Sequence, residues 1–204
     1  MKLYQYTLSP NSRRVRIFLA EKGVELSFIH VDITRGESHT PEYLKINPMG
    51  AVPVLELDDG SHIAESVAIC RYFEALQPEP SLFGIAPLEI ARIEMWQRRI
   101  ELKWYMPATM FWLHSSPVNA ARIKQIPEWA EQNREAVSKF LDWLDGEMAH
   151  REYVAGDKFS IADILAFTTS MDQSKPTIGL NFDPALKNLA RWHARVSSRP
   201  SANA

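Results

Sequence analysis

The chain of 204 residues is long enough for one large domain or two small ones, and its 46% hydrophobic and 24% charged residues are typical of globular proteins. The net charge of −2 gives no global reason to expect nucleic acid or an anionic membrane surface as a partner. The single cysteine excludes an internal disulfide bond, and we find no signal peptide and no apolar run long enough to span a bilayer. We therefore predict a cytoplasmic location.

The first part of the chain alternates short extended runs with helical runs. KLYQYTL predicts a strand over residues 2–7, and RRVRIFLAEKG predicts a helix that ends at Gly23. LSFIHVDI predicts a strand over 26–33, and PEYLKI predicts a short helix. Val54 to Leu57, the turn DDG and His62-Ile63 predict a hairpin, which the helix ESVAICRYFEAL follows. This β-α-β-α-β-β-α order is typical of a small domain with a mixed sheet.

The second part of the chain predicts helices alone. It follows a connector rich in proline and glycine, QPEPSLFGIAP. The predicted helices cover residues 88–116 with a kink at Pro107, 127–150, 160–172 and 184–198. Ser160 stands three positions before Asp163, which is an acidic variant of the capping box. We predict one domain over 1–78, a linker over 79–87 and an all-helical domain over 88–204.

Pro53 is unexpected where it stands, because VPVL otherwise has the character of a strand and proline cannot donate to a sheet ladder. Together with its surroundings it gives the chain its resemblance to a known family. The stretches SPNSRRVRIFLAEKGV, PEYLKINPMGAVPVLELDDGSHIAESVAI and FSIADI resemble the cytosolic glutathione transferases over essentially the whole chain. The resemblance is greatest to bacterial members and to classes that use serine or asparagine rather than tyrosine.

This resemblance implies an α+β protein: an N-terminal thioredoxin-like domain with a cis proline, followed by an all-α domain. It implies glutathione as co-substrate and no metal. The proline before the third strand would be cis, so that the backbone of Val52, beside Pro53, binds the cysteinyl unit of glutathione. An edge-strand proline without a ligand is the alternative reading.

Further glutathione contacts are implied at both ends of the tripeptide. Glu65 and Ser66 begin a helix, whose free N–H groups suit the γ-glutamyl carboxylate, while the Glu65 carboxylate suits the ammonium group. A simple helix cap would use the same residues. Lys45 and His39 lie where a cation would bind the glycyl carboxylate. Position 50 is glycine and position 51 alanine, where many relatives carry histidine, lysine or glutamine.

The group that activates the thiol is expected among residues 4–12. The resemblance places Ser9 at the position of the activating hydroxyl, and Asn11 at that of an amide near sulfur. Ser12 stands where cysteine-type members carry a nucleophile, and Tyr6 ends the first predicted strand; both remain alternatives. Cys70, on a predicted helix against the sheet, is interpreted as a small core residue.

The helical domain is expected to supply an apolar pocket for the second substrate. Its candidate lining residues are Tyr105, Met106, Met110 and Phe111. The sequence thus predicts a glutathione transferase that acts on hydrophobic electrophiles. The alternatives are a glutathione-dependent isomerase or dehalogenase and a non-catalytic binding or regulatory protein. The expected partners are glutathione, a hydrophobic electrophile and a second copy of the chain in a homodimer, with no nucleic acid and no membrane.

Overall fold

A computed structural model describes residues 1–170, 183 and 185–204 of the chain. These residues form two compact units. Unit 1 consists of Met1–Leu82 together with Pro200–Ala204, and unit 2 of Phe83–Arg199. The domain boundaries at residues 78 and 88 stay a prediction.

Unit 1 is built on a mixed sheet. Its elements in chain order are β1 (Lys2–Gln5), α1 (Pro10–Lys22), β2 (Ser27–His30), α2 (Pro41–Ile46), β3 (Val54–Glu56), β4 (His62–Ala64) and α3 (Ser66–Leu76). The strand order is β2-β1-β3-β4, with β1 and β2 parallel and the other neighbours antiparallel. With the helical unit 2, this arrangement confirms the predicted thioredoxin-like fold followed by an all-α domain.

The strands end earlier than their apolar patterns predict, because side chains near their ends bond the backbone. After β1, the Tyr6 N–H donates to Ser12 Oγ at 3.3 Å and the Tyr6 carbonyl accepts from Ser9 N at 2.9 Å. After β2, Asp32 Oδ1 accepts from the N–H groups of Thr34 at 2.9 Å and Arg35 at 3.3 Å, which starts a 3₁₀ turn. Such turns replace the ladder bonds that a longer strand would need.

The two faces of the sheet follow the alternation of strand side chains. Leu3 and Leu55 are paired across β1 and β3 and are fully buried. The next pair in register, Tyr4 and Val54, belongs to a different cluster that includes Tyr43 of α2 and Val52. The segment leading to Pro53 is therefore packed against the α2 side of the sheet.

The described part of unit 2 is mainly helical. Its helices are α4 (Pro87–Ile100), α5 (Met106–Ser115), α6 (Pro127–Glu147), α7 (Ile161–Ser170) and α8 (Lys187–Ser197). Met171, Asp172 and Pro184, which belong to predicted helices, lie outside the described residues. Within the described ranges, no helix has the length and apolarity needed to cross a bilayer.

A π-helical segment, Glu101–Tyr105, joins α4 to α5 where the sequence predicts a kink. Pro107 has no N–H to donate within the helix, which disturbs the preceding turn. Thr109 Oγ1 donates to the Tyr105 carbonyl at 2.8 Å and so bonds a backbone acceptor in this region. The chain therefore stays helical through Pro107, with a π-helical turn in place of a regular α-helical turn before it.

Asp163 organises the core of unit 2. Its Oδ2 accepts from Ser160 N at 3.0 Å and from Ser160 Oγ at 3.1 Å, so the predicted pairing of these two residues is present. Its Oδ1 accepts from Val154 N at 2.8 Å and from Trp192 Nε1 at 2.9 Å. Burial raises the pKa of Asp163 to about 6, and the hydrogen bonds from Val154, Trp192 and Ser160 act in the opposite direction. A fully buried carboxylate is tolerated here because four donors surround it.

Candidate functional site

The predicted thiol-activating residues surround the N-terminus of α1. Ser9 has extended backbone angles and is the N-cap, and its Oγ accepts from Ser12 N at 3.3 Å. Pro10 occupies the first turn, which contains no acidic residue. The turn between Tyr6 and Ser9 brings both side chains to the same end of the helix. This helix end therefore keeps its partial positive charge.

The four candidates differ in how accessible they are. Ser9 is 8% exposed, Ser12 is fully buried, and Asn11 and Tyr6 are partly exposed. Ser12 Oγ accepts from the Tyr6 N–H, and the Tyr6 ring lies 5.6 Å from the ring of His30. Capping uses one lone pair of the Ser9 hydroxyl and leaves its proton available for donation. The assignment of Ser9 and Asn11 as activating residues stays a prediction.

The Val52-Pro53 peptide bond is cis, as the fold prediction requires. Val52 is nearly buried and precedes β3, so its backbone lies just outside the sheet ladder. The turn before it is closed by the Gly50 N–H, which donates to the Asn47 carbonyl at 2.9 Å. The Asn47 side chain also accepts from Met49 N at 3.1 Å. These bonds shape the loop that presents Val52.

The structure explains why position 50 is a glycine. Its φ of 61° lies in the left-handed region, and a Cβ there would stand 2.9 Å from Nε2 of His39. The imidazole of His39 therefore occupies space that a side chain at position 50 would need. His39 is exposed, and its Nδ1 lies 3.0 Å from Ser38 Oγ. The structure thus brings His39 beside the loop that leads to Val52.

Lys45 lies in the last turn of α2 and is exposed. Among the described residues, none forms a hydrogen bond or ion pair with its ammonium group. The structure gives Lys45 a position on the same short helix as Tyr43. Its predicted role at the glycyl carboxylate stays a prediction.

Glu65 and Ser66 stand at the N-terminus of α3, and the conformation of Glu65 is unusual. Its φ is 67° and its side chain is exposed; no other non-glycine residue in the described chain has a positive φ. Its carbonyl accepts from Ile69 N at 3.0 Å, which starts the helix. A non-glycine residue in this region costs roughly 1–3 kcal/mol. The Glu65 side chain makes no capping hydrogen bond, so its exposed carboxylate remains available to a ligand at the start of α3.

The sequence analysis missed Arg14. This residue lies on α1, is 4% exposed, and its Nη1 donates to Ser66 Oγ at 2.6 Å. The signal for its burial was present, because Arg14 stands four positions before Phe18 on the apolar face of α1. A buried guanidinium behind Ser66 adds positive charge to the N-terminus of α3. The arrangement favours an anionic group at this point.

Cys70 is fully buried on α3, and burial raises the pKa of its thiol. This thiol is consequently protonated and has no access to solvent. In the part of the chain that the structure describes, no group of three or more His, Cys, Asp or Glu residues could hold a metal ion.

The residues predicted for the second substrate lie in the π segment and α5 of unit 2. Tyr105, Met110 and Phe111 are partly exposed, and Met106 is exposed. Their neighbours Trp104 and Ala108 are buried and belong to the core. The exposed set is apolar and aromatic, and its role as a pocket lining stays a prediction.

Comparisons with known proteins agree on one family. The family model "Glutathione S-transferase, N-terminal domain" matches residues 3–81, and "Glutathione S-transferase, C-terminal domain" matches residues 105–200. Glutathione S-transferase 2 of Saccharomyces cerevisiae is 36% identical over 98% of this chain and 87% of that protein. Maleylacetoacetate isomerase of Pseudomonas aeruginosa is 33% identical over 78% of this chain and 71% of that protein. The crystal structure of Gtt2 from Saccharomyces cerevisiae superposes with a TM-score of 0.92 at 35% identity, covering 100% of this chain and 99% of that one.

Proposed function

Since the chain belongs to the glutathione S-transferase family, we propose that it binds glutathione in unit 1 and ionises its thiol for attack on a hydrophobic electrophile. The observation that carries this proposal is the strained Glu65 at the start of α3, next to Ser66 and the buried Arg14. Backbone strain of this kind persists only where the surrounding structure enforces it, and it is frequent at ligand-binding and active sites. A simple helix cap would not require it.

The γ-glutamyl unit carries a carboxylate and an ammonium group, and this site offers a partner for each. The free N–H groups of α3 and the Ser66 hydroxyl would bind the carboxylate. Ser66 accepts from Arg14, which leaves its proton for the ligand and makes it a better donor. The Glu65 carboxylate would pair with the ammonium group.

The remaining two units of glutathione would lie along the loop before β3. The backbone of Val52, beside cis Pro53, would bond the cysteinyl unit as an added strand does. His39 and Lys45 would meet the glycyl carboxylate, with His39 replacing the side chain that Gly50 lacks. The cysteinyl thiol would then lie toward the N-terminus of α1.

For the thiol to ionise at neutral pH, the groups at the N-terminus of α1 must stabilise the thiolate. An ordinary thiol has a pKa of about 8.5, so lowering it by about two units requires about 2.7 kcal/mol. A hydrogen bond to a charged acceptor contributes roughly 1.5–3 kcal/mol, and a helix N-terminus about 0.3–1 kcal/mol. The Ser9 hydroxyl, assisted by the Asn11 amide, therefore has the required magnitude, whereas the helix alone does not. We propose a serine or asparagine type of activation on this ground.

Retention on immobilised glutathione, followed by a panel of electrophiles, tests the function. A transferase is eluted by free glutathione and conjugates aromatic halides. The 33% identity to a maleylacetoacetate isomerase favours isomerisation as the second candidate, and cis–trans isomerisation of a maleyl group without net consumption of glutathione would identify it. Glutathione-dependent halide release from haloalkanes would identify a dehalogenase. Absence of retention would favour a non-catalytic protein.

We also propose that the protein is a homodimer that pairs through α4. Leu88, Arg92 and Met95 follow i, i+4, i+7 spacing on one face of that helix, and all three are exposed. Leu88 is 61% exposed and Met95 is 39% exposed, so this face would place two apolar side chains in solvent unless a partner covers it. The cytoplasmic location remains a prediction.

A further inference from the structure

We propose that Tyr43 and Asn47 are positioning residues, which hold the Ala51 carbonyl so that the Val52 N–H points at the ligand. This inference rests on the proposed glutathione site and adds to it two residues that do not themselves touch glutathione. The Ala51 carbonyl oxygen accepts two side-chain hydrogen bonds.

Both donors are buried and come from the same short stretch of chain. Tyr43 Oη donates to the Ala51 carbonyl at 2.8 Å, and Asn47 Nδ2 donates to it at 2.9 Å. Tyr43 is 5% exposed and Asn47 is 4% exposed. The two hydrogen bonds use both lone pairs of the carbonyl oxygen and fix its direction toward α2.

The direction of the carbonyl determines the direction of the next N–H. The peptide bond between Ala51 and Val52 is trans, since the cis bonds among the described residues are those before Pro53 and Pro80. In a planar trans peptide the C=O and the N–H point in opposite directions. The Val52 N–H therefore points away from Tyr43 and Asn47, and no described residue accepts it. A backbone donor without a partner is uncommon in a residue that is only 7% exposed, so a ligand carbonyl is the expected acceptor.

The two donors are themselves firmly held. The Asn47 side-chain Oδ1 accepts from the Met49 N–H. The Asn47 backbone N–H donates to the Tyr43 carbonyl at 2.9 Å, and its backbone carbonyl accepts from the Gly50 N–H. Its side chain consequently cannot turn without opening the loop. Burial raises the pKa of Tyr43 to about 12, with a smaller contribution from Tyr4, so its hydroxyl stays a donor over the whole working range of pH. Both hydrogen bonds to the Ala51 carbonyl are therefore present before any ligand arrives, which lowers the entropy cost of binding.

Binding and backbone signals can be measured on the same full-length variants. We would prepare Tyr43→Phe, Asn47→Asp and the double variant, and follow the Val52 amide by NMR on protein labelled with ¹⁵N-valine. Tyr43→Phe leaves Asn47 to orient the carbonyl, so we expect it to raise the Kd for glutathione about twofold. Asn47→Asp places a carboxylate oxygen against the Ala51 carbonyl oxygen, so we expect that variant and the double variant to raise the Kd about tenfold. In the wild type, saturation with glutathione should move the Val52 amide proton downfield. In the saturated double variant this shift should be largely lost.

Tyr4→Phe is the matched control. It removes a phenolic hydrogen bond of similar length, 2.7 Å to Glu56, from the same unit but leaves Ala51 untouched. It should keep both the wild-type Kd and the Val52 shift. If the double variant fails to fold, Tyr43→Phe, which removes one oxygen atom, still has to weaken binding and reduce the shift.

The outcomes separate this inference from the function on which it rests. If the wild-type protein does not bind glutathione, both the proposed function and the positioning role are wrong. Wild-type binding together with an unchanged Kd in the double variant would overturn the positioning role alone. A raised Kd with a full Val52 shift at saturation would also overturn it, because the loss would then come from another part of the site.

Discussion

Arg14 and Ser66 stand 52 positions apart in the chain, and a 2.6 Å hydrogen bond from Arg14 Nη1 to Ser66 Oγ joins α1 to the first turn of α3. The thiol-activating residues lie at the start of α1, and the γ-glutamyl site lies at the start of α3. One buried guanidinium therefore connects the two helix ends on which the proposed chemistry depends.

Arg14→Met should weaken glutathione binding about tenfold, because the Ser66 hydroxyl loses a donor and the start of α3 loses a charge; bonds to charged groups contribute roughly 1.5–3 kcal/mol. Ser66→Ala should weaken binding similarly, and the double variant less than the product of the two. Calorimetry measures all three. Arg16→Met is the control, since Arg16 bonds Gln5 and Thr7 instead. Full additivity of the two changes would contradict the proposed coupling.

Glu65→Gly and Glu65→Gln should differ in their effect on stability and have the same effect on binding. Glycine accepts a φ of 67° without strain, so Glu65→Gly should stabilise the fold by about 1 kcal/mol. Glu65→Gln keeps the strain and should leave the melting temperature unchanged. Both remove the carboxylate and should weaken glutathione binding by about 2 kcal/mol. Wild-type affinity in Glu65→Gln would move the ammonium site elsewhere.

Ser9→Gly should raise the pKa of the bound glutathione thiol and lower turnover at neutral pH, with glutathione affinity nearly kept. Glycine is a suitable N-cap, so the fold should lose only a few tenths of a kcal/mol, whereas Ser9→Ala should cost about 0.5–2 kcal/mol. The thiolate absorbance of the binary complex against pH measures the effect.

Asn11→Ala separates the amide from the hydroxyl in the same titration. A larger shift in Asn11→Ala than in Ser9→Gly would make the amide the main donor. If neither change moves the titration, the assignment is wrong and Tyr6 or Ser12 takes its place.

Asp163→Asn should destabilise the protein by at least about 2 kcal/mol, because the amide group cannot accept all the bonds that the carboxylate accepts. The loss should depend on pH. With a folded pKa of about 6 against 3.8 for the free side chain, the folded state holds a proton that the unfolded state has released. Wild-type stability should thus gain about 2.4 kcal/mol over the variant as pH falls from 7 to 4.

Denaturant titrations at several pH values measure this difference. Asp142→Asn, an exposed position on α6, is the control and should change neither stability nor its pH dependence. A stability difference that stays constant between pH 4 and 7 would show that Asp163 does not take up a proton in the folded state.

Leu88→Glu combined with Met95→Glu should convert a homodimer into monomers, because two carboxylates would enter an apolar contact on α4. Sedimentation equilibrium at micromolar concentration gives the mass directly. Wild-type protein that sediments as a single chain would contradict the proposed dimer. Glutathione affinity, which depends on unit 1, should persist in the variant.

Local patterns in the sequence were sufficient for the features that depend on neighbouring residues. The order of strands and helices follows from hydrophobic period and turn residues, and the pairing of Ser160 with Asp163 follows from their spacing. The cis bond before Pro53 was predicted from a motif of the family and not from the physical preferences of the residues around it. The sequence did not predict that β1 and β2 end early, because side chains of the following turns form hydrogen bonds with the backbone in place of the sheet ladder.

Tertiary structure alone decided the features that join distant residues or set a single backbone angle. The bond between Arg14 and Ser66 exists because α1 and α3 pack side by side, which spacing along the chain does not encode. The left-handed angle of Glu65 is imposed by the turn from β4 into α3, against the preference of its side chain. The imidazole of His39 lies beside Gly50 because the loop folds back on itself. A sequence pattern records what each residue prefers, while these contacts depend on how the packed helices and strands of unit 1 constrain it.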